Sequence, residues 1–121
     1  MNHPSKMHNH FIITFLIMFF LYKPSAALHD GLHGGWKPIP DVTDPMVVSI
    51  GEFAIDEHNK ESHDSLKFSK VIKGEEQVVQ GTNYNLTITA AYGGAEKNYV
   101  ALVWDIPWQK FRKLVSFNGP V

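Results

Sequence analysis

Asp56-Glu57-His58 sets two carboxylates and an imidazole side by side, the residue types of general acid–base catalysis. The surrounding pattern is helical, however, and neighbours on a helix diverge by about 100°, so these side chains cannot converge on one substrate atom. His58 falls with the apolar arc of that helix and reads as a core histidine with a hydrogen-bond partner. Of the seven histidines, His3, His8 and His10 lie in a leader and the rest are scattered, which is not a metal-ligand pattern. Cysteine is absent, and with it thiol nucleophiles, disulfides and thiolate metal sites. Neither a catalytic group, a cofactor nor a metal is expected. What remains is the chemistry of non-covalent contact.

Three uncharged stretches could carry that contact. Gln77-Val78-Val79-Gln80-Gly81 lies between two strand-like runs, 66–76 and 82–92. Hairpin tips are usually Asn, Asp, Gly or Pro, which supply turn geometry and stay wet. Two valines there expose apolar surface that water penalises, so either the tip inserts into a partner or these residues belong to a strand; insertion is the expectation. Pro107-Trp108 is a second such tip, with a large aromatic at its end. Gly34-Gly35 reads either as flexible leader or as backbone that must approach another surface closely.

The elements that must position these stretches follow from local pattern. Asp44-Pro45 has the chemistry of a helix start, a capping carboxylate followed by a proline at the first helical position. From there to Asn59, residues Met46, Val47, Ile50, Phe53, Ala54, Ile55 and His58 cover one arc, while Ser49, Glu52, Asp56, Asn59 and Lys60 gather opposite. Gly51 lies within the apolar arc, where close helix-to-sheet contact would explain it. Residues 60–65 form a polar exit loop.

The run from Leu66 to Ile72 begins by alternating and then slips, as a bulged or strongly twisted strand would. Residues 82–92 alternate cleanly, with Tyr84, Leu86, Ile88, Ala90 and Tyr92 on one face. That strand also carries the sequon Asn85-Leu86-Thr87, whose asparagine falls on the polar face and is expected to accept an N-glycan. Gly93-Gly94 turns the chain into a strand over 99–104, and 111–117 forms the last. Two prolines confine 36–40 to an edge or irregular strand.

The first residues stand outside this scheme. A polar start with Lys6 leads into an almost continuous apolar run, 11–22, and then to Lys23-Pro24 and Ser25-Ala26-Ala27. That is the order of a secretory signal, and the run is short for a membrane anchor. Residues 1–27 are therefore expected to be removed, with cleavage after Ala27 or, alternatively, Ala26. A mobile arm, 28–35, and a single domain, 36–121, remain. The protein is expected to be secreted, with delivery to a vacuole as a further route and no membrane contact once the signal is gone. At 11 basic and 12 acidic side chains, no basic surplus exists to hold nucleic acid.

The resulting order is arm, edge strand, helix and a four-strand meander, an α+β fold of about five antiparallel strands under one helix. The first and third hairpins of a meander share one end of the sheet, and the arm can reach that end. Together they would form an uncharged wedge suited to a cleft. One buried aromatic there contributes roughly 4–6 kcal/mol of gross burial.

In these motifs the chain resembles the cystatins, and specifically the plant cystatins. Gln77-Val78-Val79-Gln80-Gly81 matches the family's Q-x-V-x-G loop, Gly34-Gly35 its N-terminal glycine pair and Pro107-Trp108 its second-loop dipeptide. The segment Ile50 to Asn59 resembles the plant pattern L-A-R-F-A-V-x-E-H-N, departing from it at Gly51 and Glu52. The resemblance implies a reversible, competitive inhibitor of papain-like cysteine proteases. It places Gly34, Gly35 and the arm on the non-primed side, Gln77 to Gly81 over the catalytic residues, and Pro107 and Trp108 on the primed side. A monomer is implied, with a domain-swapped dimer as the alternative state. The competing reading is a cystatin-fold interaction or storage protein without inhibitory activity.

Overall fold

The computed structural model describes residues 34–121; the expected signal and most of the arm lie outside them. Asp44 opens helix α1 (Pro45–Ser62), its carboxylate accepting the Met46 N–H at 2.8 Å, with Pro45 at the first position. The helix runs three residues past Asn59, into the expected exit loop, and ends at His63 in a left-handed conformation (φ 53°). Asn59 was placed on the polar arc, yet its side chain donates to the Leu66 carbonyl at 2.9 Å and accepts the Leu66 N–H at 3.0 Å. Satisfying both backbone groups of one residue, it fixes where the chain leaves the helix for the sheet.

The sheet has five antiparallel strands in chain order: β1 (Lys37–Pro38), β2 (Lys67–Val79), β3 (Gly81–Tyr92), β4 (Ala95–Ile106) and β5 (Phe111–Asn118). The expected α+β architecture is what forms. Val47, Ile50, Ala54 and Ile55 of α1 pack on Val71, Leu86, Ile88, Ala101 and Val103 from the strands. Met46 departs from its predicted burial: at the margin of the arc it is 44% exposed. At Gly51 a Cβ would meet Phe68 and Val71 side-chain atoms at 2.9 Å, so the glycine lets helix and sheet approach.

The slip in β2 resolves into two register shifts against β3, between Phe68 and Lys70 and between Val71 and Lys73. Each shift inserts one residue, so a three-residue sequence period becomes a two-faced strand. Phe68, Val71 and Gly74 oppose the core residues Ala90, Ile88 and Leu86, whereas Lys67, Lys70 and Lys73 are turned outward and exposed.

Candidate functional site

The first hairpin is tighter than the sequence suggested. Gln77, Val78 and Val79 do not form a loop; they pair in register with Asn83, Thr82 and Gly81, leaving Gln80 alone at the tip. Strand pairing continues because nothing in 77–79 interrupts an extended backbone, and β-branched valines favour one. Val78 nevertheless stands 57% exposed at the end of this ribbon. The amide of Gln77 accepts the Asn83 side-chain N–H at 3.2 Å.

Gly81 turns the chain with φ +80°, a conformation that disfavours any side chain. A Cβ there would also fall on the Asp105 carbonyl oxygen and within 2.9 Å of Ile106. Close approach at this point seats the first hairpin against the end of β4, which leads into the second. That second tip is a single 3-10 turn, Pro107–Gln109, closed by Lys110 at φ 50°. β4 runs to Ile106, two residues beyond the expected end at Trp104. Trp108 projects from the turn, 68% exposed.

Beneath the turn, the Arg112 Nε donates to Asp105 at 2.8 Å, and Asp105 is only 3% exposed. The guanidinium also lies 5.7 Å from the centre of the Phe53 ring and 3.9 Å from the Met46 sulfur. This ion pair joins the base of the second hairpin to α1.

Gly34 lies over the first hairpin: a Cβ on it would sit 3.4 Å from the Val78 nitrogen. Around Gly35 there is open space. The three predicted stretches are therefore gathered at one end of the sheet. Asn85 is elsewhere, on the outward face of β3, half-buried in a shallow groove with Lys73, Glu75, Thr87 and Val100. His58 is likewise remote from the three stretches in its contacts. It shares a 3.0 Å hydrogen bond with Asp64 and stacks on Phe117 at 4.0 Å between ring centroids. Among the described residues no group of three or more His, Cys, Asp or Glu is arranged to hold a metal ion.

Sequence reasoning missed Asn83, Trp104 and Arg112. Their roles depend on partners up to 66 residues away, and nothing adjacent to them in the chain signals those partners.

Comparison with known proteins places this arrangement in context. A family model described as "Aspartic acid proteinase inhibitor" matches residues 39–119. The chain is 61% identical over 104 residues to cysteine proteinase inhibitor 5 of Arabidopsis thaliana, covering 85% of this chain and 82% of that protein. It is 47% identical over 85 residues to cysteine proteinase inhibitor 1 of Actinidia chinensis var. chinensis, covering 70% and 73% respectively. Among solved structures, a salivary cystatin from the soft tick Ornithodoros moubata superposes with a TM-score of 0.60 at 24% identity, covering 70% of this chain and 95% of that one. Dimeric human cystatin F gives 0.61 at 17% identity, covering 71% and 86%. At those identities the structural likeness speaks for the fold alone.

Proposed function

The chain belongs to the cystatins, in their plant branch of cysteine proteinase inhibitors, and from that membership we propose that it inhibits papain-like cysteine proteases reversibly and competitively. The family consists of protease inhibitors, not enzymes. In this reading Gly34-Gly35, the hairpin Gln77 to Gly81 and Pro107-Trp108 enter the active-site cleft together. The observation that carries it is their juxtaposition: Gly34 over Val78, and Gly81 seated against Asp105 and Ile106.

The mechanism is occlusion. None of the three stretches carries a charge or a nucleophile, so no covalent step is available. Exposed Val78 and Trp108 supply apolar area that a cleft can desolvate. The pairing of Val78 with Thr82 and of Val79 with Gly81 keeps the hairpin from opening into the extended strand that a protease cuts. Because the tips are already ordered, little conformational entropy is lost on binding. Gly35 has room for a side chain in the free protein, so a requirement for glycine at that position would come from the bound protease.

The proposal extends to secretion after loss of residues 1–27, an N-glycan at Asn85 and a monomeric state in which exchange of the first hairpin is the route to a dimer. Titration of residues 28–121 against papain tests the central claim. Inhibition is expected, weakened about tenfold or more by Trp108→Ala, the loss typical of a central aromatic anchor. Papain left untouched at micromolar excess would leave the fold without its inhibitory role. A pepsin arm covers the activity in the family model's description; inhibition of pepsin without papain would move the chain to that class.

A further inference from the structure

On the face of the sheet turned away from α1, directly behind the two hairpin tips, lies a set of contacts that the occlusion mechanism does not use. Tyr84, Leu86 and Ile88 of β3 and Tyr99, Ala101 and Val103 of β4 belong to the core under the helix. Strand alternation therefore turns the register partners Asn83 and Trp104 outward. The Trp104 indole N–H donates to the Gln80 carbonyl at 2.7 Å, across 24 residues of sequence. Its ring meets Phe111 edge-on at 5.3 Å between centroids. Ile106 is 3% exposed yet stands apart from the main core cluster, against Gly81. Asn83 holds the Gln77 amide in the same region.

We propose that Trp104 is a positioning residue for inhibition: its indole fastens the tip of the first hairpin to the strand that carries the second, so that both tips meet the protease as one preformed surface. Gln80 is the tip itself, the residue without a strand partner between Val79 and Gly81. Its carbonyl is therefore the point at which the ribbon is free to fray. A hydrogen bond there from a ring braced on Phe111 restrains the tip without touching the protease-facing side of Val78. Asn83 does the same for Gln77 at the third pair back from the tip.

This inference rests on the reading of the first hairpin as a protease contact, and its test separates the two. Trp104→Phe keeps an aromatic ring beside Phe111 and removes the N–H. Amide exchange over 78–82 in the free variant is expected to quicken two- to tenfold, the range of one hydrogen bond. The papain inhibition constant is expected to rise by a similar factor, through faster dissociation, while the melting temperature stays within a few degrees. A purely structural role would instead lower the melting temperature and leave inhibition by the folded fraction intact. In the unmutated chain, the Trp104 indole proton is expected to exchange about tenfold more slowly than that of exposed Trp108, a measurement that survives a variant that fails to fold. Unchanged amide exchange and an unchanged inhibition constant in Trp104→Phe would overturn the proposal, as would an unprotected indole proton. If the wild type leaves papain untouched, the function reading fails while the exchange data still decide whether Trp104 holds the tip.

Discussion

Gly81 concentrates two separate constraints in one residue. Its φ of +80° alone costs a side-chain-bearing residue about 1–3 kcal/mol, and the Asp105 carbonyl occupies the place a Cβ would take. For a domain of this size each kcal/mol moves the midpoint by roughly 4–8 °C. Gly81→Ala is accordingly expected to lower the thermal midpoint by roughly 5–20 °C and to weaken inhibition along with it. Calorimetry decides: an unchanged midpoint would mean that the start of β3 moves away from β4 without strain. Gly35→Ala is the control, since the space around Gly35 is open and its midpoint should not change. The motif glycines were visible in the sequence, but their unequal roles were not. Gly81 answers to a neighbour inside the molecule, whereas nothing among the described residues crowds Gly35.

Between elements, the Asp105–Arg112 pair adds to the apolar packing, tying the base of the β4–β5 hairpin to α1 through Phe53 and Met46. Asp105 is buried while Arg112 keeps some solvent, so the pair is worth less than a fully buried one. Removing one partner still leaves the other without its counter-charge. Asp105→Ala is expected to cost about 2–4 kcal/mol in urea unfolding. The double replacement Asp105→Leu with Arg112→Met is expected to cost less than the single change. A double variant weaker than Asp105→Ala would show that the ions contribute more than the geometry they hold. Helix and strands were largely legible as elements: the Asp44-Pro45 cap and the alternation from Tyr84 to Tyr92 are local signals. The slip in β2 was legible too, but not its site. A bulge is defined by which residue is left without a partner across the ladder, here Ser69 and Ile72 of β2, opposite the Ala90–Thr89 and Ile88–Thr87 steps of β3.

For the whole molecule, stability against pH draws on Asp41, held low by its hydrogen bonds with Thr43, and on Asp64 at the acid end, and on Tyr84, next to Asn83 in β3, at the alkaline end. The hydrogen bond with His58, and then the Ser65 N–H, hold the Asp64 carboxyl below the usual carboxylate range. A depressed folded value stabilises the fold above the unfolded value and is lost as pH falls, so the acid limb lies below about pH 4. Tyr84 is pushed up, chiefly by burial and then by Glu76 and Asp105. A raised phenol stabilises below the unfolded value and loses that contribution as pH climbs beyond about 10. Asp64→Asn should flatten part of the acid limb, the remainder belonging to Asp41, and Tyr84→Phe the alkaline one, each leaving the other limb unchanged. Melting temperatures across pH 3 to 11 check both, and a variant that altered neither limb would assign it to other groups.

Signals confined to neighbouring residues were enough to specify the helix and its cap, the cleanly alternating strand, the missing nucleophile and three uncharged motifs in family order. They could not specify that Gln77 to Val79 stay paired, that Gly34 covers Val78, or that Trp104 holds Gln80. Propensity and periodicity depend on residues adjacent in the chain. Strand register, steric exclusion and a hydrogen bond across 24 residues depend on atoms brought together only when the sheet closes.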